Sequence, residues 1–130
     1  MKNLNTPVQD LILPAQDDLF QLMLNNISES FVLLDTNLVI LQSNKAARYG
    51  IWSKVGMHLF PGFNILDSID DDRIPLLQAT FADVLKGHER KTEYAYLLPE
   101  GTRYFENNVL PARNNDGEII GIIIYSKDIT

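Results

Sequence analysis

The chain has 130 residues, 45% of them hydrophobic and 22% charged, enough for one domain with its own core. Its 11 Lys and Arg stand against 17 Asp and Glu, and the net charge of −6 leaves no basic footprint for nucleic acid or an anionic membrane. Cysteine is absent, which excludes a disulfide framework, thiolate-held zinc or iron–sulfur clusters, a thiol nucleophile and any cofactor attached through sulfur.

No apolar run approaches the ~18 residues of a membrane span. The opening Met1-Lys2-Asn3-Leu4-Asn5 lacks the apolar core of a signal peptide, so the expected location is the cytoplasm. Residues 1–18 are polar, carry Pro7 and Pro14, and read as a leader with one turn of helix. From Asp17 the pattern turns helical. Leu19, Leu22, Met23 and Ile27 recur at three- and four-residue steps, and Phe20 and Leu24 widen the apolar face. Phe31-Val32-Leu33-Leu34 and Leu38-Val39-Ile40-Leu41 flank the polar turn Asp35-Thr36-Asn37 and predict a hairpin. Ser43-Asn44 ends the second strand and caps a short helix from Lys45 to Tyr49, stopped by Gly50. Residues 51–69, broken by Gly56, Pro61 and Gly62, read as irregular.

Asp70-Asp71-Asp72 opens the strongest helix. Ile74, Leu77, Phe81, Val84 and Leu85 form its stripe, Pro75 sits in its first turn, and Lys86-Gly87 closes it. Three strands follow: Lys91 to Leu98, Thr102 to Leu110 and Glu118 to Ile129. Their turns are Pro99-Glu100-Gly101 and Asn114-Asn115-Asp116-Gly117. The order predicts an α+β fold, a five-stranded antiparallel sheet with helices inserted between strands two and three and a helix in front.

In this order the segments resemble the PAS domain, the sensory module of bacterial histidine kinases and diguanylate cyclases. The resemblance runs through Phe31–Asp35 and Leu41–Asn44, Gly87–Tyr94, Glu100–Tyr104 up to Pro111, and Asn115–Gly121 up to Asp128-Ile129-Thr130. It covers residues 19–130. It implies a domain excised from a longer signalling protein, whose Asp128-Ile129-Thr130 exit leads to a covalently linked output domain. A histidine kinase is the first expectation for that output and a diguanylate cyclase the next.

The resemblance also shapes the cofactor expectation. Light-sensing flavin relatives need a Cys that this chain lacks, and haem-binding relatives carry a ligand on the long helix, where no His occurs. Haem and flavin are therefore not expected, and His58 and His88 read as solvated loop residues. The acid run Asp70–Asp72 suits a helix N-terminus rather than a metal. Trp52, Phe60 and Phe63 read as core, with a cofactor slot as the alternative. No histidine is placed by its sequence context beside a serine, and no glycine-rich phosphate loop is present, so no catalytic residue is assigned.

Alternation and the resemblance together put Val32 and Leu34 on one strand face, Ser43 beside the capping Asn44, and Leu77 and Phe81 opposite them, around a pocket for an unknown small ligand. Within the polar triplet Glu106-Asn107-Asn108, Asn108 is the residue assigned to that ligand. A filled core with no ligand, serving only dimerisation or protein interaction, is the competing reading, and a small enzyme is the third. Asp128 is expected to pair with Arg103 or Lys91. The last strand, with Ile119, Ile120, Ile122, Ile123, Ile124 and Tyr125, is apolar on both faces, so its outer face needs a cover. Leu19, Leu22, Met23 and Ile27 are the expected cover, from the same chain or from a partner in a two-fold homodimer. Which parity of the strand faces outward is left open by the sequence, and Ile123 is the residue named for that surface.

Overall fold

The computed structural model describes residues 16–130, and the leader expected over residues 1–18 lies largely outside them. The elements are α1 (Gln16–Asn25), β1 (Ser30–Leu34), β2 (Ile40–Ser43), α2 (Lys45–Tyr49), α3 (Ile51–Lys54), a 3-10 turn (Ile65–Ser68), α4 (Ile74–Leu85), β3 (Arg90–Leu98), β4 (Gly101–Arg113) and β5 (Ile119–Asp128). The five strands form one antiparallel sheet in the order β2-β1-β5-β4-β3. The last strand thus lies in the middle, between the two hairpins, and the helices lie between β2 and β3 in the chain, as the sequence predicts. Residues 51–69 are more ordered than their breakers suggest. Ile51–Lys54 is helical, and Asn64 caps the 3-10 turn by accepting from Leu66 N–H at 3.0 Å.

The first hairpin turns where Asp35 Oδ1 accepts from the amides of Asn37 and Val39 and Leu38 takes φ +69°. Asn44 caps α2 and does more. Its Oδ1 accepts from Phe31 N–H at 2.9 Å and Ala47 N–H at 3.1 Å, and its Nδ2 donates to the carbonyls of Leu24 and Glu29. One fully buried side chain therefore ties α1, β1 and α2 together.

Side-chain parity on β5 is settled by its pairings. Ile122 faces Leu34 and Pro111, Ile124 faces Val32 and Val109, and Ser126 faces Ser30 and Asn107; these form the inner face, toward α4. Ile123 and Tyr125 point outward, beside Leu33, Leu110, Phe31 and Asn108, and Phe31 stacks on Tyr125 at 5.6 Å. At Gly121 the strand passes so close to the Leu34 carbonyl that a β-carbon would collide with it. Among the described residues, α1 does not supply the expected cover for the outer face. Leu22 and Met23 of α1 remain 52% and 62% exposed, and the end of the helix is fastened to α2 by the Asn44 bonds and by Lys45 N–H donating to Asn25 Oδ1.

Candidate ligand cavity

Between the inner face of the sheet and α4 lies a cavity of about 140 Å³. The sheet contributes Val32, Val109 and Ile124 to its wall, α4 contributes Leu77, Thr80 and Phe81, and the segment before α4 contributes Met57, Leu59, Ile65 and Ile69. Aromatic side chains cluster at one side. Tyr96 meets the Trp52 ring edge-on at 5.3 Å, and Phe105 backs both, 5.6 Å from Trp52 and 6.0 Å from Tyr96. Trp52 is held by its indole N–H, which donates to Ser30 Oγ at 3.0 Å.

Beside the hydroxyls of Ser30, Thr80, Thr92, Ser126 and the two tyrosines, two polar groups stand out in this lining. Asn107 lies on the inner face between Phe105 and Val109, and its Oδ1 is buried without a hydrogen-bond partner among the described residues. Arg73, just before α4, places its guanidinium over the Tyr94 ring at 5.4 Å. Burial pushes the Tyr96 phenol above its ordinary pKa against the opposing influence of the Arg73 charge, so at neutral pH it is an uncharged donor. Among the described residues, no carboxylate and no histidine lines the cavity.

Three of the six expected pocket residues, Val32, Leu77 and Phe81, line this space. Leu34 shares the inward parity but is sealed in the solid core beside Ile122. Ser43 is also buried away from the cavity, donating its hydroxyl to the Leu59 carbonyl. Asn108 faces the other way. The register pairs it with Tyr125 and Lys91 on the outer face, where its amide donates to Glu106 Oε1 at 3.2 Å. The polar group of the triplet that reaches the cavity is Asn107.

A second groove adjoins the cavity and shares Ser30, Trp52 and Ser126 with it; it extends to Arg103, Phe105 and Asp128 at the end of β5. There Asp128 forms an ion pair with Arg103, while Lys91 pairs with Glu106 at 3.9 Å. Thr130 folds back on Asp128, its hydroxyl donating to Oδ1 at 2.6 Å and its amide to the same oxygen at 3.0 Å. The Thr130 bonds, then Arg103, hold the Asp128 carboxyl at a pKa of about 2. Tyr104 closes the exit from the neighbouring strand, accepting from Ile129 N–H at 2.8 Å and donating its own N–H to Thr130 Oγ1 at 2.9 Å.

A family model described as the PAS fold matches residues 24–130. The chain belongs to the PAS-fold family. Among solved structures, the PAS domain of a Colwellia psychrerythraea protein aligns with a TM-score of 0.60 at 15% identity, covering 82% of this chain and 91% of that one. The PAS domain of Bordetella pertussis BvgS aligns with a TM-score of 0.66 at 18% identity over 90% and 88%. A phage VqmA in complex with DPO aligns with a TM-score of 0.63 at 19% identity, covering 89% of this PAS domain but only 54% of VqmA. At such identities these neighbours establish the fold alone. No curated protein matches the chain. Among the described residues, no helix is long and apolar enough to cross a membrane, and no group of three His, Cys, Asp or Glu is placed to hold a metal.

Proposed function

We propose that this PAS domain senses a small molecule in the cavity under α4 and passes the signal through Asp128-Ile129-Thr130 to a linked output domain, a histidine kinase before a diguanylate cyclase. The observation that carries this reading is the wall shared by cavity and exit. Ser30, Trp52 and Ser126 border the ligand space on one side and the Arg103–Asp128 groove on the other. A ligand that moves Trp52 or Ser126 perturbs the end of β5 directly. It shifts the output only by its difference in affinity for the two arrangements. The domain itself carries no reaction in this reading, and any catalysis belongs to the output domain. The bound molecule is colourless, neither haem nor flavin.

Native mass spectrometry and absorption of the purified chain, followed by titration with phenol as a ring-sized probe, test this reading. A retained colourless mass, or a phenol-dependent shift of the Trp52 indole signal accompanied by altered amide exchange at Ile129 and Thr130, is the expected result. A Soret or flavin band overturns the cofactor assignment. A Trp52 shift with unchanged exchange at the exit overturns the relay.

The apolar outer face supports a second property, self-association through β5 and α1. VqmA, a structural neighbour, is described as a dimer. Sedimentation at about 100 μM is expected to show a two-fold dimer, the commonest closed assembly, and Ile123→Glu a folded monomer. A wild-type monomer at that concentration overturns the dimer.

A further inference from the structure

The cavity carries more information than its volume. Among the described residues, Arg73 is the one charged residue on its wall. No carboxylate among the described residues forms an ion pair with it, and Asp70, Asp71 and Asp72 are exposed and absent from the lining. Arg73 also occupies the N-cap position of α4 without a side-chain cap there, so the positive end of a twelve-residue helix adds to its field. A cationic ligand would find no counter-charge in this space, whereas an anion has a guanidinium held against an aromatic ring. The second polar feature, Asn107 Oδ1, is an acceptor already out of water. It gains from any ligand N–H or O–H that reaches it, because an unmet buried acceptor keeps its full desolvation penalty.

Size and wall chemistry narrow the remainder. An apolar protein cavity of ~150 Å³ accommodates benzene, and this one, of about 140 Å³, is flanked by Trp52, Phe81, Tyr94 and Tyr96. One aromatic ring with small substituents fits this space.

We infer that the ligand is a small aromatic carboxylic acid carrying a ring hydroxyl or N–H, with its carboxylate on Arg73 and its donor on Asn107 Oδ1. This rests on the cavity being the sensory site and adds the chemical class that the site selects.

The probes are the three hydroxybenzoate isomers, benzoate and phenol, titrated calorimetrically into the purified chain at neutral pH. Trp52, the only tryptophan, reports cavity occupancy through its single indole N–H signal. At least one hydroxybenzoate is expected to bind about tenfold more tightly than either phenol or benzoate, the scale of one charge-assisted or buried hydrogen bond. Arg73→Gln, at a half-exposed position, is expected to bring that isomer down to the level of phenol while phenol itself is unchanged. Asn107→Leu brings it down to the level of benzoate, and Asn107→Ser is the alternative if the leucine variant does not fold. Phenol binding as tightly as every hydroxybenzoate, or an acid preference that survives Arg73→Gln, overturns the ligand class while leaving the cavity a ligand site. A Trp52 signal unmoved by all five probes overturns the ligand class and the sensory use of the cavity together.

Discussion

The two halves of the sheet are packed differently. Around Leu34, Ile40 and Ile122, at one end of β1, β2 and β5, the inner face is solid: these side chains are essentially inaccessible, and Ala47 of α2 and Asn44 seal them, whereas Val32 and Ile124 further along already border the cavity. On the β4-β3 side the inner face is hollow. Tyr94, Tyr96 and Asn107 are only part-buried, and Leu76 of α4 above them is 65% exposed. The chain covers the first half with a short helix pinned by side-chain hydrogen bonds. It covers the second with one longer helix and the segment leading into it. Close packing gives a fold its stability, and the space left under α4 is where a ligand can enter without dismantling that packing.

This contrast has measurable consequences, the largest on the solid side. Asn44→Ala removes the acceptor of two amides and the donor to the carbonyls of Leu24, Ile27 and Glu29 at a fully buried position. A loss of about 3 kcal/mol is expected from the buried groups left unpaired, read from urea denaturation at unchanged m-value. A loss below about 1 kcal/mol would mean that this corner rearranges and is not rigid. The next test inserts the same ring on each side. Ile122→Phe forces extra volume into the filled half and should cost about 2 kcal/mol. Val109→Phe points into the cavity and should cost under about 1 kcal/mol while abolishing phenol binding. Equal costs for the two would erase the distinction between the halves.

The sequence made the solid half legible because its signals are local. The Asp35 turn, the Asn44 cap and the β-rich runs around them each act within a few residues, and the structure returns all three. The long helix and the final hairpins were legible for the same reason. The hollow half depends on register and on contacts far apart in the chain. Asn108 was assigned to the ligand, yet period-two alternation already places Asn107 with the apolar Phe105 and Val109, and Asn108 with Glu106 and Leu110. That parity pointed to Asn107. Leu34 and Ser43 had the right face but the wrong half. Arg73 was hidden at the end of an acidic run that reads as a solvated helix start, and Ile65 and Ile69 lay in a segment whose breakers masked its order. The Arg103–Asp128 pair was legible because a carboxylate at the end of an apolar strand needs a nearby cation to hold it.

That pair supports the smallest of the effects, and the one that best separates signalling from stability. Asp128 has its carboxyl lowered to about 2 by the Thr130 hydroxyl and amide and by Arg103. A carboxylate whose folded pKa lies below its unfolded value of 3.8 contributes stability that is complete above that value. The contribution is lost as pH falls through about 2. Above pH 4 the Asp128→Asn variant should therefore differ from wild type by a constant amount, and the two should converge between about pH 4 and pH 2. The side chains of Asp128 and Arg103 are 38% and 41% exposed, so solvent screens the pair and the constant amount should stay under about 1 kcal/mol. The exit geometry should respond far more than the stability does. In Asp128→Ala, Thr130 loses the acceptor for both its hydroxyl and its amide, and exchange at the Thr130 amide should rise. A large fall in melting temperature at pH 7, or unchanged exchange at Thr130, would make Asp128 a structural anchor and not a part of the exit.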